Sequence, residues 1–100
     1  MRLSVNSISS SVNTSCAKVS MNDDVVAFTY ENNTIALVFQ RSKTPKQILK
    51  DIDGSVLALE LSFDNYLSCI TSTGHLYVWK CVKDSSNSYT VRIVDAHSSS

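Results

Sequence analysis

The side chains here with chemistry to offer are two histidines, three cysteines, two acid pairs and a short run of cations. His75 and His97 stand far from each other, and neither lies at metal-loop spacing from a cysteine, so no metal site is expected. Cys16, Cys69 and Cys81 are odd in number and widely spaced. They read as small buried hydrophobes of a reducing compartment. The acids Asp23-Asp24 and Asp51/Asp53 fall in segments where turn formation accounts for them. Serine is too abundant to signal a nucleophile, and a triad needs a base and an orienting acid beside it. With only two glycines, the chain carries no nucleophile elbow, phosphate-binding loop or dinucleotide fingerprint. The expectation is a protein that is not an enzyme, with no catalytic residue, no metal and no cofactor.

The cations matter more. Arg41, Lys43, Lys46 and Lys50 fall within ten residues, and the next acid is Asp51. Such a segment suits phosphates or an acidic partner. Its plainer reading is ordinary surface charge, with Lys and Pro45 protecting an outer strand from unwanted pairing. No aromatic residue is interleaved for base stacking. Nine basic and nine acidic residues balance, so no overall charge draws the chain to nucleic acid or an anionic membrane. No apolar run approaches the ~18–20 residues of a membrane span, and Met1–Ser15 lacks the apolar core of a secretory signal. An intracellular place, cytoplasm or nucleus, is therefore expected. In that setting Asn13 and Asn32 are not glycan acceptors, and Asn32-Asn33 reads as a tight turn.

The elements that would position these groups are strands. Val, Ile, Thr, Ser, Tyr and Asn dominate, and short apolar–polar alternations are separated by Asn, Asp, Gly or Ser. Four strands are expected in a first unit: 16–21, 25–30, 34–40 and 46–50. Four more are expected in a second: 56–62, 66–71, 75–82 and 89–94. In the seventh, Leu76 and Val78 should face one way and Tyr77 and Trp79 the other. The third strands of the two units match at an offset of 41 residues, Val19-Ser20 matches Leu61-Ser62 at 42, and Asp51-Ile52 matches Ala96-His97 at 45. A period of ~40–45 residues with four strands per unit is the sequence mark of a β-propeller blade.

The second unit resembles a WD repeat. Asp51-Ile52 stands at the Gly-His place, Val56 at the Val place, Leu61-Ser62-Phe63-Asp64-Asn65 at the first turn, Thr73-Gly74 at the Asp-Gly place and Trp79-Lys80 at the Trp-Asp place. Of the buried hydrogen-bond set that family carries in a blade, Thr71 and Trp79 match, while Ile52 and Thr73 replace the His and the Asp. In the first unit Phe39 or Val38 replaces the Trp. The resemblance implies an all-β fold with two four-stranded antiparallel blades, an incomplete portion of a larger ring. Residues 12–51 would form a degenerate blade and 52–95 a WD-like blade. Residues 1–11 would be an N-terminal segment or latch strand, and 96–100 the start of a further repeat.

The function implied is a non-catalytic protein–protein interaction scaffold within a multiprotein assembly. Contacts to other proteins would sit at the rim, on Asn32, Asn33, Asp53, Ser55, Thr73 and His97, with Thr71, Gly74 and Trp79 structural. The remaining blades would come from the same chain or from another. Two alternatives stay open. One is an RNA–protein complex component touching RNA through the basic 41–50 segment. The other is an unrelated small β-sandwich, which would bury both fourth strands in one core.

Overall fold

The computed structural model describes residues 18–31 and 33–98. Eight strands follow one another: β1 (Val19–Met21), β2 (Val25–Tyr30), β3 (Thr34–Phe39), β4 (Gln47–Leu49), β5 (Val56–Leu61), β6 (Tyr66–Thr71), β7 (His75–Lys83) and β8 (Tyr89–Ser98). They form two separate four-stranded sheets, in order β1-β2-β3-β4 and β5-β6-β7-β8, with every pairing antiparallel. The all-β architecture and the division into two four-stranded units match the expectation. The third strands of the two units, β3 and β7, lie in different sheets.

Turn chemistry explains why the strands stop where they do. Asn33 and Gly74 each hold a positive φ, 55° and 83°, in the β2–β3 and β6–β7 turns, the region Asn and Gly enter at least cost. They stand 41 residues apart. So do the ladders around them: Val25 pairs with Phe39, and Tyr66 with Lys80. A turn bond repeats as well. The Gln40 amide donates to the Asp24 carbonyl at 2.7 Å, and the Cys81 amide to the Asn65 carbonyl at 2.9 Å.

Side chains alternate across each sheet, so one face of each is buried. Val25, Ala27, Ile35, Leu37 and Phe39 of the first sheet pack against Leu67, Cys69, Trp79, Cys81 and Tyr89 of the second. Ile35, Leu37 and Leu67 are completely buried. The two buried faces are not equivalent. At the 41-residue offset, Ile35 and Leu37 correspond to Leu76 and Val78, which lie on the other face of the second sheet. Tyr77 and Trp79 correspond to Ala36 and Val38, on the other face of the first. The sheets therefore stack front to back, as successive repeats do, and not front to front as a two-fold sandwich would.

Polar bonds close the seam at the end that carries the β1–β2 turn. Asn22 Nδ2 donates to the Ser62 carbonyl and to Asn65 Oδ1, both at 2.7 Å. Ser20 Oγ accepts from the Leu61 amide at 3.0 Å. Ser42 Oγ donates to the Asn87 carbonyl, Asn87 Nδ2 to the Arg41 carbonyl, and the Tyr89 amide to Thr44 Oγ1, each at 2.7 Å.

Three details differ from the expectation. β4 is only three residues long. The ladder places Met21 at the position of Leu61, because their partners Val26 and Leu67 are equivalent, so the first strands match at an offset of 40 and not 42. β8 runs on to Ser98, with Ala96 opposite Tyr77 and His97 opposite Leu76. Ala96 and His97, expected to open a further repeat, lie at the end of this outer strand, hydrogen-bonded to β7. The segment 1–11 and Cys16 lie outside the described residues.

Candidate functional site

Antiparallel connectivity puts the β2–β3 turn, the β4–β5 link and the β6–β7 turn at one rim. Asn33, Asp53, Ser55 and Thr73, all expected as partner contacts, lie on these segments and are exposed. Asn32 lies outside the described residues. The link carries Asp51 and Gly54 at positive φ, 61° and 94°, which lets the chain bend sharply from β4 into β5. The Ser55 amide donates to Ser72 Oγ at 3.0 Å, and the Ser72 amide returns a bond to the Ser55 carbonyl at 2.8 Å.

Thr73 is the hub of this rim. Its Oγ1 lies 2.8 Å from the Asp53 carbonyl, 3.2 Å from Thr71 Oγ1 and 3.0 Å from His75 Nδ1. A hydroxyl has one proton. Donating it to the Asp53 carbonyl leaves Thr73 to accept from Thr71 and from a protonated His75 Nδ1. Thr71 Oγ1 is buried and also accepts the His75 amide at 3.1 Å. His75 Nε2 lies 3.7 Å from Asp53 Oδ2 across the link. Tyr77 adds a bond from below, its hydroxyl accepting the Asp53 amide at 3.0 Å.

Thr, His and Asp together resemble the membership of a nucleophilic triad, but the proton runs the wrong way. In a triad the base takes the hydroxyl proton. Here the Thr73 hydroxyl donates to the Asp53 backbone carbonyl, and its bond with His75 Nδ1 takes its direction from the imidazole tautomer. The cluster is a brace that fixes the 51–55 link on the 72–75 turn.

The sequence reading missed His75 and Tyr77 as members of this site. His75 opens β7 beside the β6–β7 turn. It is half-buried, its ring stacked on Tyr77 at 5.8 Å and 9°, and Tyr77 stacks in turn on Trp79 at 5.7 Å and 20°. The signal was present: three rings at alternate positions of one strand share a face and must form a ladder. Trp79 is buried at the core end of that ladder, and Thr71 is buried as well. Gly74 closes the turn, its amide donating to the Thr71 carbonyl at 3.1 Å.

His97 sits apart. It faces away from the core beside Leu76, with Nε2 2.9 Å from Asp95 Oδ1 and both side chains exposed.

The basic segment is not one patch. Arg41 and Lys43 lie in the β3–β4 loop at the opposite rim. Arg41 holds φ at 56°, and its carbonyl is tied to Asn87. Lys46 places its ammonium 5.3 Å from the centre of the Tyr30 ring. Lys50 follows β4 and lies near the link rim. The short strand β4, within the expected outer strand 46–50, separates Lys50 from Arg41 and Lys43.

Among the described residues, no group of three His, Cys, Asp or Glu is placed to hold a metal ion. Burial pushes both the Cys69 and Cys81 thiols up to about 11, with Lys80 pulling slightly the other way at Cys81. No helix among the described residues is long and apolar enough to cross a membrane.

No family model, no curated protein and no solved structure matches this chain.

Proposed function

We propose that the two sheets are successive blades of a WD-repeat-like β-propeller, and that the chain is a non-catalytic protein-interaction scaffold of an intracellular assembly. The front-to-back stacking carries this reading. Repeats that stack in one direction align their equivalent turns along one rim. Here that rim is braced around Thr73 and presents Asn33, Asp53 and Ser55 to solvent. The chain's resemblance to WD repeats adds the expectation that partner proteins meet this rim.

RNA contact through residues 41–50 is the weaker reading. A phosphate backbone needs a continuous track of cations, and β4 divides this one. The sandwich alternative is also weaker, because β8 is exposed along nearly its whole length and is not buried in a shared core.

The test compares three tagged forms of the chain in quantitative co-purification: wild type, Ser55→Arg, and Arg41→Ala with Lys43→Ala. The expected result is a defined set of proteins lost with Ser55→Arg and retained with the cation variant. Loss only with the cation variant, restored by lowering salt, transfers the function to the other rim and to RNA.

A further inference from the structure

Among the described residues, no strand packs over the second face of either sheet. On the first sheet Val19, Met21 and Val38 are exposed there, and Phe28 and Val26 are half-buried. On the second, Tyr66 and Ile70 are exposed, half-buried Leu76 lies opposite Ile70 and half-buried Val78 opposite Ser68, and Lys80 sets its ammonium 4.0 Å from the centre of the Tyr66 ring. Apolar residues gathered on one face in this way mark an interaction surface.

The chain itself shows what fits these faces. Its internal seam packs the Ile35/Leu37 face of one sheet against the Tyr77/Trp79 face of the other. At the 41-residue offset fixed by the ladders, the free face of the second sheet is the counterpart of the first half of that seam. The free face of the first sheet is the counterpart of the second half. Every copy therefore carries both halves of one further seam, on opposite sides. They cannot meet within one copy, because the internal seam lies between them.

We propose that this chain assembles with copies of itself head to tail, the free face of the β5–β8 sheet in one copy covering the free face of the β1–β4 sheet in the next. The inference rests on the repeat-stack reading above. A contact between two different patches is heterologous, and it closes into a ring when the rotation per copy allows. Sheets stacked about an axis close at about four to eight, so the two sheets of the described residues give a ring of about two to four copies. A second copy is favoured over an unrelated partner because each free face occupies the positions that, one repeat along, pack against each other within the chain.

The test uses native mass spectrometry and light scattering on three forms of the full chain. Wild type is expected as a discrete oligomer of about two to four copies. Val38→Lys blocks one free face and Ile70→Lys the other, both at positions exposed in the single copy, and circular dichroism reports whether each variant keeps its strands. Each variant alone is expected to be monomeric. Mixed, they are expected to form a 1:1 heterodimer, since each supplies the face the other lacks. The proposal is overturned by a monomeric wild type. It is equally overturned if one variant still self-associates, which marks a two-fold contact through the other face, or if two folded variants fail to pair on mixing. A monomeric wild type that retains Ser55-dependent capture of partner proteins removes self-assembly and leaves the rim function standing.

Discussion

Phe39 and Tyr89 stack across the seam between the two sheets, ring centroids 4.8 Å apart and planes 15° from parallel. Phe39 ends the core face of β3, and Tyr89 opens β8, where its amide is also tied to Thr44. Burial raises the Tyr89 hydroxyl above its ordinary value, and the charge of Asp24 adds to the effect. Phe39→Ala removes a buried ring, so a loss of about 3–5 kcal/mol is expected in urea unfolding. In a double-mutant cycle of Phe39→Leu with Tyr89→Leu, the coupling expected is about 0.5–1.5 kcal/mol. Additive losses would mean that the rings contribute burial alone.

Asn22 ties the two sheets by polar bonds in the same way. Its Oδ1 accepts the Asp24 and Val25 amides, each at 2.8 Å, while its Nδ2 donates to Ser62 and Asn65. Asn22→Asp keeps the shape and the two acceptor bonds. It removes both donors and turns a carboxylate toward the Ser62 carbonyl. A loss of about 1–3 kcal/mol is expected, larger at neutral pH than at pH values where the new carboxyl is protonated and can donate. A flat dependence on pH would place the effect elsewhere.

Gly54 is the position where a side chain is least welcome. Its φ is +94°, and a Cβ there would lie 2.6 Å from Thr73 Oγ1 and 3.0 Å from the Thr73 amide nitrogen. Gly54→Ala is expected to destabilise by more than about 1 kcal/mol, since Ala is strained wherever φ is positive. Adding Thr73→Ala removes the nearer clash but leaves the backbone strain and the amide contact. The double variant should therefore lose less than the sum of the single losses. Full additivity in thermal melts would show that the link moves away from the turn.

How far these features could be read in the sequence depends on whether their cause is local. The strands and turns follow from alternation and from Asn, Asp and Gly at positions that need positive φ, so β2, β3 and β6 are legible almost to the residue. The face assignments of Leu76, Val78, Tyr77 and Trp79 follow from the same two-residue period. The reach of β8 to Ser98 was not legible, because hydrogen bonds to β7 hold its last residues and the sequence from Asp95 onward has no apolar alternation. The rim brace joins Asp53 to Thr73 and Tyr77, groups 20 and 24 residues apart. Only the fold brings those together.

Asp84 makes a separate prediction from its charge. Its Oδ1 accepts from Ser86 Oγ at 2.7 Å and from the Ser86 and Ser88 amides at 2.9 and 3.0 Å. The Ser86 hydroxyl bond, followed by the Ser88 amide bond, holds its carboxyl below the usual carboxylate range. A carboxyl depressed in the fold contributes order above its open-chain pKa and loses it as pH falls through the folded value. The Ser86 and Ser88 amide resonances should therefore shift on acidification at a lower pH than model-peptide carboxylates titrate. Asp84→Asn should abolish that titration while leaving the strand signals of β7 and β8 in place.

The buried thiols give the sharpest readout of the core. Cys69 and Cys81 are nearly inaccessible, and burial holds both as neutral thiols near pH 8. Only the thiolate attacks a disulfide reagent, so inaccessibility and protonation act in the same direction. In a Cys16→Ser chain, the two remaining thiols are expected to react with a chromogenic disulfide only as fast as the fold opens. Urea should release both together, in step with loss of the Trp79 fluorescence signal, since Cys69, Trp79 and Cys81 share one core. Rapid reaction of either thiol in the native chain would mean that the seam between the sheets opens on its own.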